Sequence, residues 1–254
     1  MLNYLINSLL EENPAPRGVQ IPQDKDSKRR LFRALCNIRE PLPMSEEFLK
    51  AQDVELQQQL QEKGIVRLED IPGGSIRLWQ GDITRLQIDA IVNAANSEML
   101  GCFHPLHGCI DNAIHSAAGV QLRLECADLM QAQGHPEPTG AAKITKGYNL
   151  PAKYVIHTVG PIVQGMEPTD QNKENLASCY RSCLQLAEAN GLKSIAFCCI
   201  STGEFRFPKN LAADIAVREV QAFMKHAKNV KTVIFNVFKD VDNEIYKARL
   251  ASVD

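Results

Sequence analysis

The sequence predicts an α/β architecture carried behind an N-terminal helical extension. From Gly73 onward, short β-branched runs alternate with stretches of helical periodicity, the pattern of strands and helices sharing one mixed or parallel sheet. Two loops after predicted strands, Asn93-Ala94-Ala95-Asn96 and Ser201-Thr202-Gly203-Glu204-Phe205, are rich in small and polar residues. In open α/β sheets the ligand sits beyond the carboxyl ends of the strands, so these are the loops that matter. The first 70 or so residues lack this alternation and read as helices joined by a Pro-rich connector.

That connector runs from Asn13 to Pro22, and a helix is expected from Ser27 to about Ile38. A second is expected from Ser45 to about Lys63: Glu46 and Glu47 favour the dipole in its first turn, apolar Phe48 and Leu49 follow, and Gly64 stops it. Lys28, Arg29, Arg30 and Arg33 stand at helical spacing and read as a solvated helix face. Whether this extension docks or recruits a partner is not decided by the sequence. Strands are expected at Ser75–Gln80, Ala90–Asn93, Ala142–Thr145, Tyr154–Thr158, Ser194–Ile200 and Thr232–Val237. Helices are expected at Ile110–Ala118, Gln121–Gln133, Gln171–Asn190, Leu211–His226 and Asp242–Ala251.

Composition narrows the function classes. The 254 residues hold 28 Lys+Arg against 30 Asp+Glu, a formal net charge of −2, and 44% are hydrophobic. A chain of this length buries on the order of 70% of its unfolded surface, so a core can form without disulfides or structural metal. Near-neutral charge argues against a dedicated nucleic-acid binder. No apolar run approaches the roughly 18 residues of a membrane span, and the opening MLNYLINSLLEEN lacks a secretory signal's positive region and cleavage site. The expected location is cytoplasmic, where the eight cysteines would be reduced thiols or metal ligands. Neither G-x-G-x-x-G after a strand nor G-x-x-x-x-G-K-[ST] occurs, which removes the common dinucleotide and P-loop readings.

Six segments in order carry a resemblance: Gly81-Asp82-Ile83-Thr84, Asn93 to Asn96, Ile110-Asp111-Asn112-Ala113-Ile114-His115, Thr139-Gly140 through Gly147-Tyr148-Asn149-Leu150-Pro151, Val155 to Pro161, and Ser201 to Pro208. Together they resemble the macrodomain, an ADP-ribose-recognising module. The resemblance covers about Ile76 to the C-terminus and implies a three-layer α/β/α macrodomain with a mixed central sheet over 71–254, preceded by the helical extension over 1–70. After Asn96 the chain reads Gly101-Cys102-Phe103-His104-Pro105-Leu106-His107-Gly108-Cys109. That insertion is similar to the zinc-containing macrodomain subfamily of protein-ADP-ribose hydrolases, and the resemblance implies Cys102, His107 and Cys109 as ligands of Zn²⁺. Thiolate and imidazole suit zinc, and three protein ligands with an open fourth position is a catalytic pattern. His104 is the rival ligand, ranked second because Pro105 constrains the chain after it. Cys179, Cys183, Cys198 and Cys199 read as small core residues, and His115 and His157 as structural histidines.

By the same resemblance the reaction is hydrolysis of protein-linked mono-ADP-ribose, of glycosidase or esterase type, at the anomeric carbon of the distal ribose. Asn96 is expected to hydrogen-bond ribose hydroxyls, and Asp111 to act as base or to position water. Asp82 and the Ile83 backbone are expected to receive adenine, with Phe238 stacking on the ring. Ser201, Thr202, Gly203, Glu204 and Phe205 are expected to wrap the diphosphate, although Glu204 and Arg206 replace an apolar residue and a glycine of the commoner pattern. The implied partners are ADP-ribose, an ADP-ribosylated protein, a sirtuin-like ADP-ribosyltransferase and a lipoyl-carrier-type protein, with no nucleic acid and no membrane. The competing class is a non-catalytic ADP-ribose reader, and Asp111 discriminates, because a reader needs no activated water. An RNA-binding or scaffold role has no motif.

Overall fold

The computed structural model describes residues 1–13 and 18–251. Three helices come first: α1 (Leu2–Glu12), α2 (Lys25–Ile38) and α3 (Glu46–Lys63). The first was not expected from the sequence. Its Leu5, Ile6 and Leu9 fall on one face and are buried, so docking supplies what an 11-residue helix lacks in isolation. Part of the expected Pro-rich connector, 14–17, lies outside the described residues. Helix α2 starts earlier than expected because the Asp24 carboxylate accepts from Ser27 N at 2.8 Å, while Ser45 caps α3 as the sequence suggests.

The remaining elements follow in order as β1 (Val66–Arg67), β2 (Ile76–Gln80), β3 (Leu86–Gln87), β4 (Ala90–Ala95), α4 (Ile110–Ala118), α5 (Val120–Gln133), β5 (Ala142–Lys146), β6 (Tyr154–Val159), α6 (Asp170–Ala189), β7 (Ser194–Phe197), α7 (Lys209–Met224), β8 (Thr232–Val237) and α8 (Asp240–Ala251). Strands β1 and β3 form a small parallel pair that two-residue runs could not announce. The other six form one sheet in the order β2-β8-β7-β4-β6-β5, parallel except for β5 against β6. The expected mixed sheet is therefore present. β7 ends at Phe197 rather than Ile200, because Cys198 to Ile200 turn out of the sheet into the following loop.

The inner strands are apolar nearly throughout because both faces are covered. Helices α4 and α5 lie against β4 and β5, while α6, α7 and α8 pack in series and contact β5, β6, β2 and β8, giving three layers. The main core runs through both helical layers. Cys179 and Cys183 on α6 belong to it, as the sequence suggests. A second apolar cluster of Leu5, Ile6, Leu9, Phe32, Leu35, Phe48 and Leu56 closes over Val120 of α5, so the extension is docked. Polar contacts fix that seat: Gln52 Oε1 accepts from Val120 N at 2.9 Å, Gln57 Nε2 donates to Asn149 O at 2.9 Å, and Arg123 Nη1 donates to Cys36 O and Arg39 O.

The basic cluster on α2 corrects the sequence reading. Arg29 turns inward to Glu55 and Glu62, and Arg33 is half-buried against α4. Helical spacing placed these residues on one face, but only the docked partner shows that two of them are not solvated.

Candidate active site

Strands β2, β8, β7, β4 and β6 run parallel, so the loops leaving their carboxyl ends gather at one edge of the sheet. They line a cleft of about 870 Å³, within the usual range for a small-molecule site. Helices α2 and α3 supply a further wall through Arg29, Arg33, Asn37 and Lys63.

Asn96 opens the first loop by closing it on itself. Its Oδ1 accepts from Glu98 N at 3.1 Å and its Nδ2 donates to Gly101 O at 3.0 Å, leaving one amide proton and one lone pair for a ligand. Gly101 has φ +79° and lies so close to His115 that a Cβ would meet the ring at 2.9 Å. This position has room only for glycine. Beyond it, the donor atoms of Cys102, His107 and Cys109 all come within 4.8 Å of one another, with Cys102 Sγ 3.5 Å from His107 Nδ1. His104 stays exposed, its ring centroid 5.4 Å from that of His107, and its Nδ1 is 3.4 Å from Pro105 O. It stands outside the three-donor group. Cys109 is also the N-cap of α4, its sulfur accepting from Asn112 N at 3.4 Å. Burial pushes its thiol up to about 11, whereas a cation bound to a thiol favours the thiolate.

In the first turn of α4, Asp111 lines the cleft and is 5% exposed. Asn93 Nδ2 donates to Asp111 Oδ1 at 2.8 Å and also reaches His157 Nδ1 at 3.1 Å. An amide NH₂ only donates, so His157 Nδ1 accepts, its proton sits on Nε2, and that proton meets Thr145 Oγ1 at 2.9 Å. Burial pushes the Asp111 carboxyl up to about 6, opposed by the Asn93 hydrogen bond and the Arg123 charge. Burial likewise holds His157 down to about 3 and His115 well below its ordinary value. His115, Cys126 and His157 also converge, yet both His157 nitrogens are already engaged, which leaves no coherent ligand set there.

At the other end of the cleft, Asp82 Oδ1 accepts from Thr84 N at 3.0 Å and from Thr84 Oγ1 at 2.6 Å. Its Oδ2 lies 3.4 Å from Lys63 Nζ of α3. Burial opposes these contacts, but together they hold the Asp82 carboxyl below its usual range. The Ile83 side chain is core, leaving only its backbone for a ligand. Phe238 stands on the rim, 74% exposed. Ser201 to Phe205 line the middle. Ser201 takes φ +63°, and its buried Oγ has no partner among the described residues. Gly160 makes room for it: a Cβ there would sit 2.1 Å from Ser201 Oγ. Arg206, where the commoner pattern has glycine, adopts φ +59°, a conformation that costs a side-chain-bearing residue about 1 kcal/mol. Glu204 reaches across the cleft to within 3.9 Å of His107 Nε2.

Sequence reading missed Asn93 as a donor, Arg33 and Lys63 as walls, and Asn236, whose Nδ2 ties Gly81 O at 3.0 Å under the Asp82 loop. Asn93 and Asn236 each interrupt an apolar strand near its end, which is the one sequence signal they gave.

Residues 92–216 match the Macro domain family. The chain is 53% identical over 249 residues to a protein from Treponema medium named protein-ADP-ribose hydrolase, covering 96% of this chain and 95% of that one. It is 49% identical over 249 residues to a protein of the same name from Staphylococcus aureus (strain MSSA476), covering 97% and 93%. Among solved structures it resembles the Trypanosoma brucei macrodomain in complex with ADP-ribose, with TM-score 0.67, 34% identity and coverage of 82% of this chain and 92% of that chain. It also resembles a mutant Oceanobacillus iheyensis macrodomain with ADPR, with TM-score 0.65, 36% identity and coverage of 72% and 95%.

Proposed function

This chain belongs to the Macro domain family, and from that premise we propose that it is a zinc-dependent protein-ADP-ribose hydrolase that removes mono-ADP-ribose from modified proteins. The observation that carries the reading is the convergence of two thiols and an imidazole beside a buried carboxylate, Asp111, at one end of a cleft large enough for ADP-ribose. The relatives named protein-ADP-ribose hydrolase and the structures holding ADP-ribose support the substrate class. Residues 71–254 form the macrodomain in this proposal and 1–70 its extension. The sirtuin-like transferase and the lipoyl-carrier-type protein enter by resemblance alone. Among the described residues no helix is long and apolar enough to cross a membrane, and the proposal places the protein in the cytoplasm.

Cys102, His107 and Cys109 fit zinc in softness and number and would hold it as three protein ligands, the number typical of a catalytic site. Zinc, when bound, supplies positive charge that lowers the pKa of water or anchors a ribose hydroxyl or phosphate oxygen. The chain's own residues do the rest. Asp82 accepts from the adenine amine, sharing its Oδ2 with Lys63, and Phe238 offers its exposed face to the ring. The Ser201 hydroxyl, which has no partner among the described residues, and the loop to Phe205 receive the diphosphate. The spare donor and acceptor of Asn96 hold the distal ribose. Water attacks the anomeric carbon as the bond to the protein side chain breaks, Asp111 accepts the water proton, and the leaving group is released to be protonated. Asn93 holds Asp111 in its reactive orientation.

Asp111→Ala tests the hydrolase against the reader. Release of ADP-ribose should fall by about 10²- to 10⁴-fold, the usual worth of an acid–base group, with ADP-ribose affinity kept within a few-fold. Tight ADP-ribose binding by the wild-type protein with no linkage cleaved would leave the reader as the better account.

A further inference from the structure

The extension does more than cover apolar surface. Arg29 is ion-paired with Glu55 and Glu62, and Arg39 with Glu12, whereas Arg33 has no carboxylate partner among the described residues. Its guanidinium goes instead to the metal-ligand loop and its anchor. Arg33 Nη2 donates to Asn112 Oδ1 at 2.7 Å and to His107 O at 3.2 Å, and Nε adds a 3.2 Å contact to the same Oδ1. Asn112 is wholly buried and gathers both ends of the loop. Its Nδ2 donates to His104 O at 3.0 Å and to Cys102 O at 3.4 Å, and its backbone N–H to Cys109 Sγ at 3.4 Å. One residue thus touches the backbone or sulfur of two of the three candidate ligands, and Arg33 touches the backbone of the third. The loop tip is held from the same helix, where Asn37 Oδ1 accepts from Leu106 N at 2.9 Å. Leu106 has φ +57°, a conformation that needs such support.

We propose that Arg33 is a positioning residue for hydrolysis, acting through Asn112 and the His107 carbonyl to hold the 102–109 loop in its ligand-presenting shape, so that the active site is complete only with the extension in place. This rests on the reading of the site as a hydrolase. Two properties of Arg33 set it apart from ordinary docking contacts. Other extension contacts, such as Gln57 to Asn149, lie away from the loop, whereas Arg33 directs its charge to the His107 carbonyl and to the Asn112 side chain that organises the loop. Arg33 also lines the same cleft as Cys109 and Asp82. Guanidinium geometry matters here, because its fork reaches two acceptors at once and an ammonium does so poorly.

The test uses the full chain with Arg33→Met, Arg33→Lys and, as a docking control, Gln57→Ala. Hydrogen exchange at the Leu106 and His107 amides should speed by about tenfold or more in Arg33→Met, since a charge-assisted hydrogen bond is lost. The same variant should lose kcat by about 100-fold, the cost of an ångström-scale misplacement, with KM and ADP-ribose affinity within about threefold of wild type. Zinc loaded into it should pass to a chromogenic chelator about tenfold faster, as with other supporting residues of metal sites. Arg33→Lys should recover part of each effect, and Gln57→Ala should show none. Unchanged exchange in Arg33→Met, or equal effects from Gln57→Ala, would overturn the proposal. If the wild-type protein cleaves no linkage, the functional reading fails, and loop exchange still decides whether Arg33 positions the loop.

Discussion

Asn93 Nδ2 donates to Asp111 Oδ1 over 2.8 Å, a hydrogen bond that joins the end of β4 to the first turn of α4 beneath the cleft. The bond is fully buried and its acceptor is ionisable, so its loss is felt twice. Asn93→Leu should lower stability by about 1 to 3 kcal/mol, the cost of a buried polar group left without its partner. In a double-mutant cycle with Asp111→Asn, measured by urea unfolding, the two changes should couple by at least about 0.5 kcal/mol. Strict additivity would mean that Asn93 does not hold the carboxylate.

Gly160 gives a second expectation. A methyl group there would stand 2.1 Å from Ser201 Oγ, and Ser201 begins the loop assigned to the diphosphate. Gly160→Ala should therefore push that loop out and weaken ADP-ribose binding by at least about tenfold in calorimetry, with a smaller change in affinity for adenosine, which lacks the diphosphate. Equal losses for both ligands would point to general unfolding of the cleft.

The buried histidines set an acid limit. His157 faces Asn93 of β4, Thr145 of β5, Cys126 of α5 and the His115 ring of α4, with Asp111 beyond Asn93, and it is held neutral with its pKa down to about 3. A depressed value means that the unfolded chain binds the proton more readily. The stabilisation is complete above the ordinary histidine value of about 6.5 and is lost as pH falls toward 3, at up to about 1.4 kcal/mol per pH unit. Unfolding free energies measured between pH 7 and 4 should show this slope, and His157→Gln should flatten it by about one proton's worth. A slope unchanged in His157→Gln would assign the acid limit to other groups.

Much of this site could be read in the sequence, and the reasons are local. Strands β4, β6 and β8 announced themselves as apolar runs, and the helix over 110–118 by its periodicity, because short-range pattern controls both. The candidate ligands lie within eight positions of one another, so chain connectivity alone brings Cys102, His107 and Cys109 close. What escaped reading depends on contacts distant in the chain. Arg33 and Asn112 are 79 positions apart, and Asn93 and His157 are 64 apart. Helix α1 escaped for another reason: it is short, lacks a side-chain cap, and owes its order to α2 and α3. The basic residues of α2 were misread because periodicity reports which residues share a face and not what that face meets.

The central claim is that hydrolysis needs a metal held by Cys102, His107 and Cys109. Its most direct measurement is the rate at which free ADP-ribose is released from a mono-ADP-ribosylated protein by the as-purified, chelated and zinc-reloaded protein, with metal content determined for each. The account predicts about one zinc per chain, a rate lowered by 100-fold or more on chelation, and recovery on reloading that Cys109→Ser does not show. An undiminished rate after verified loss of metal would contradict it.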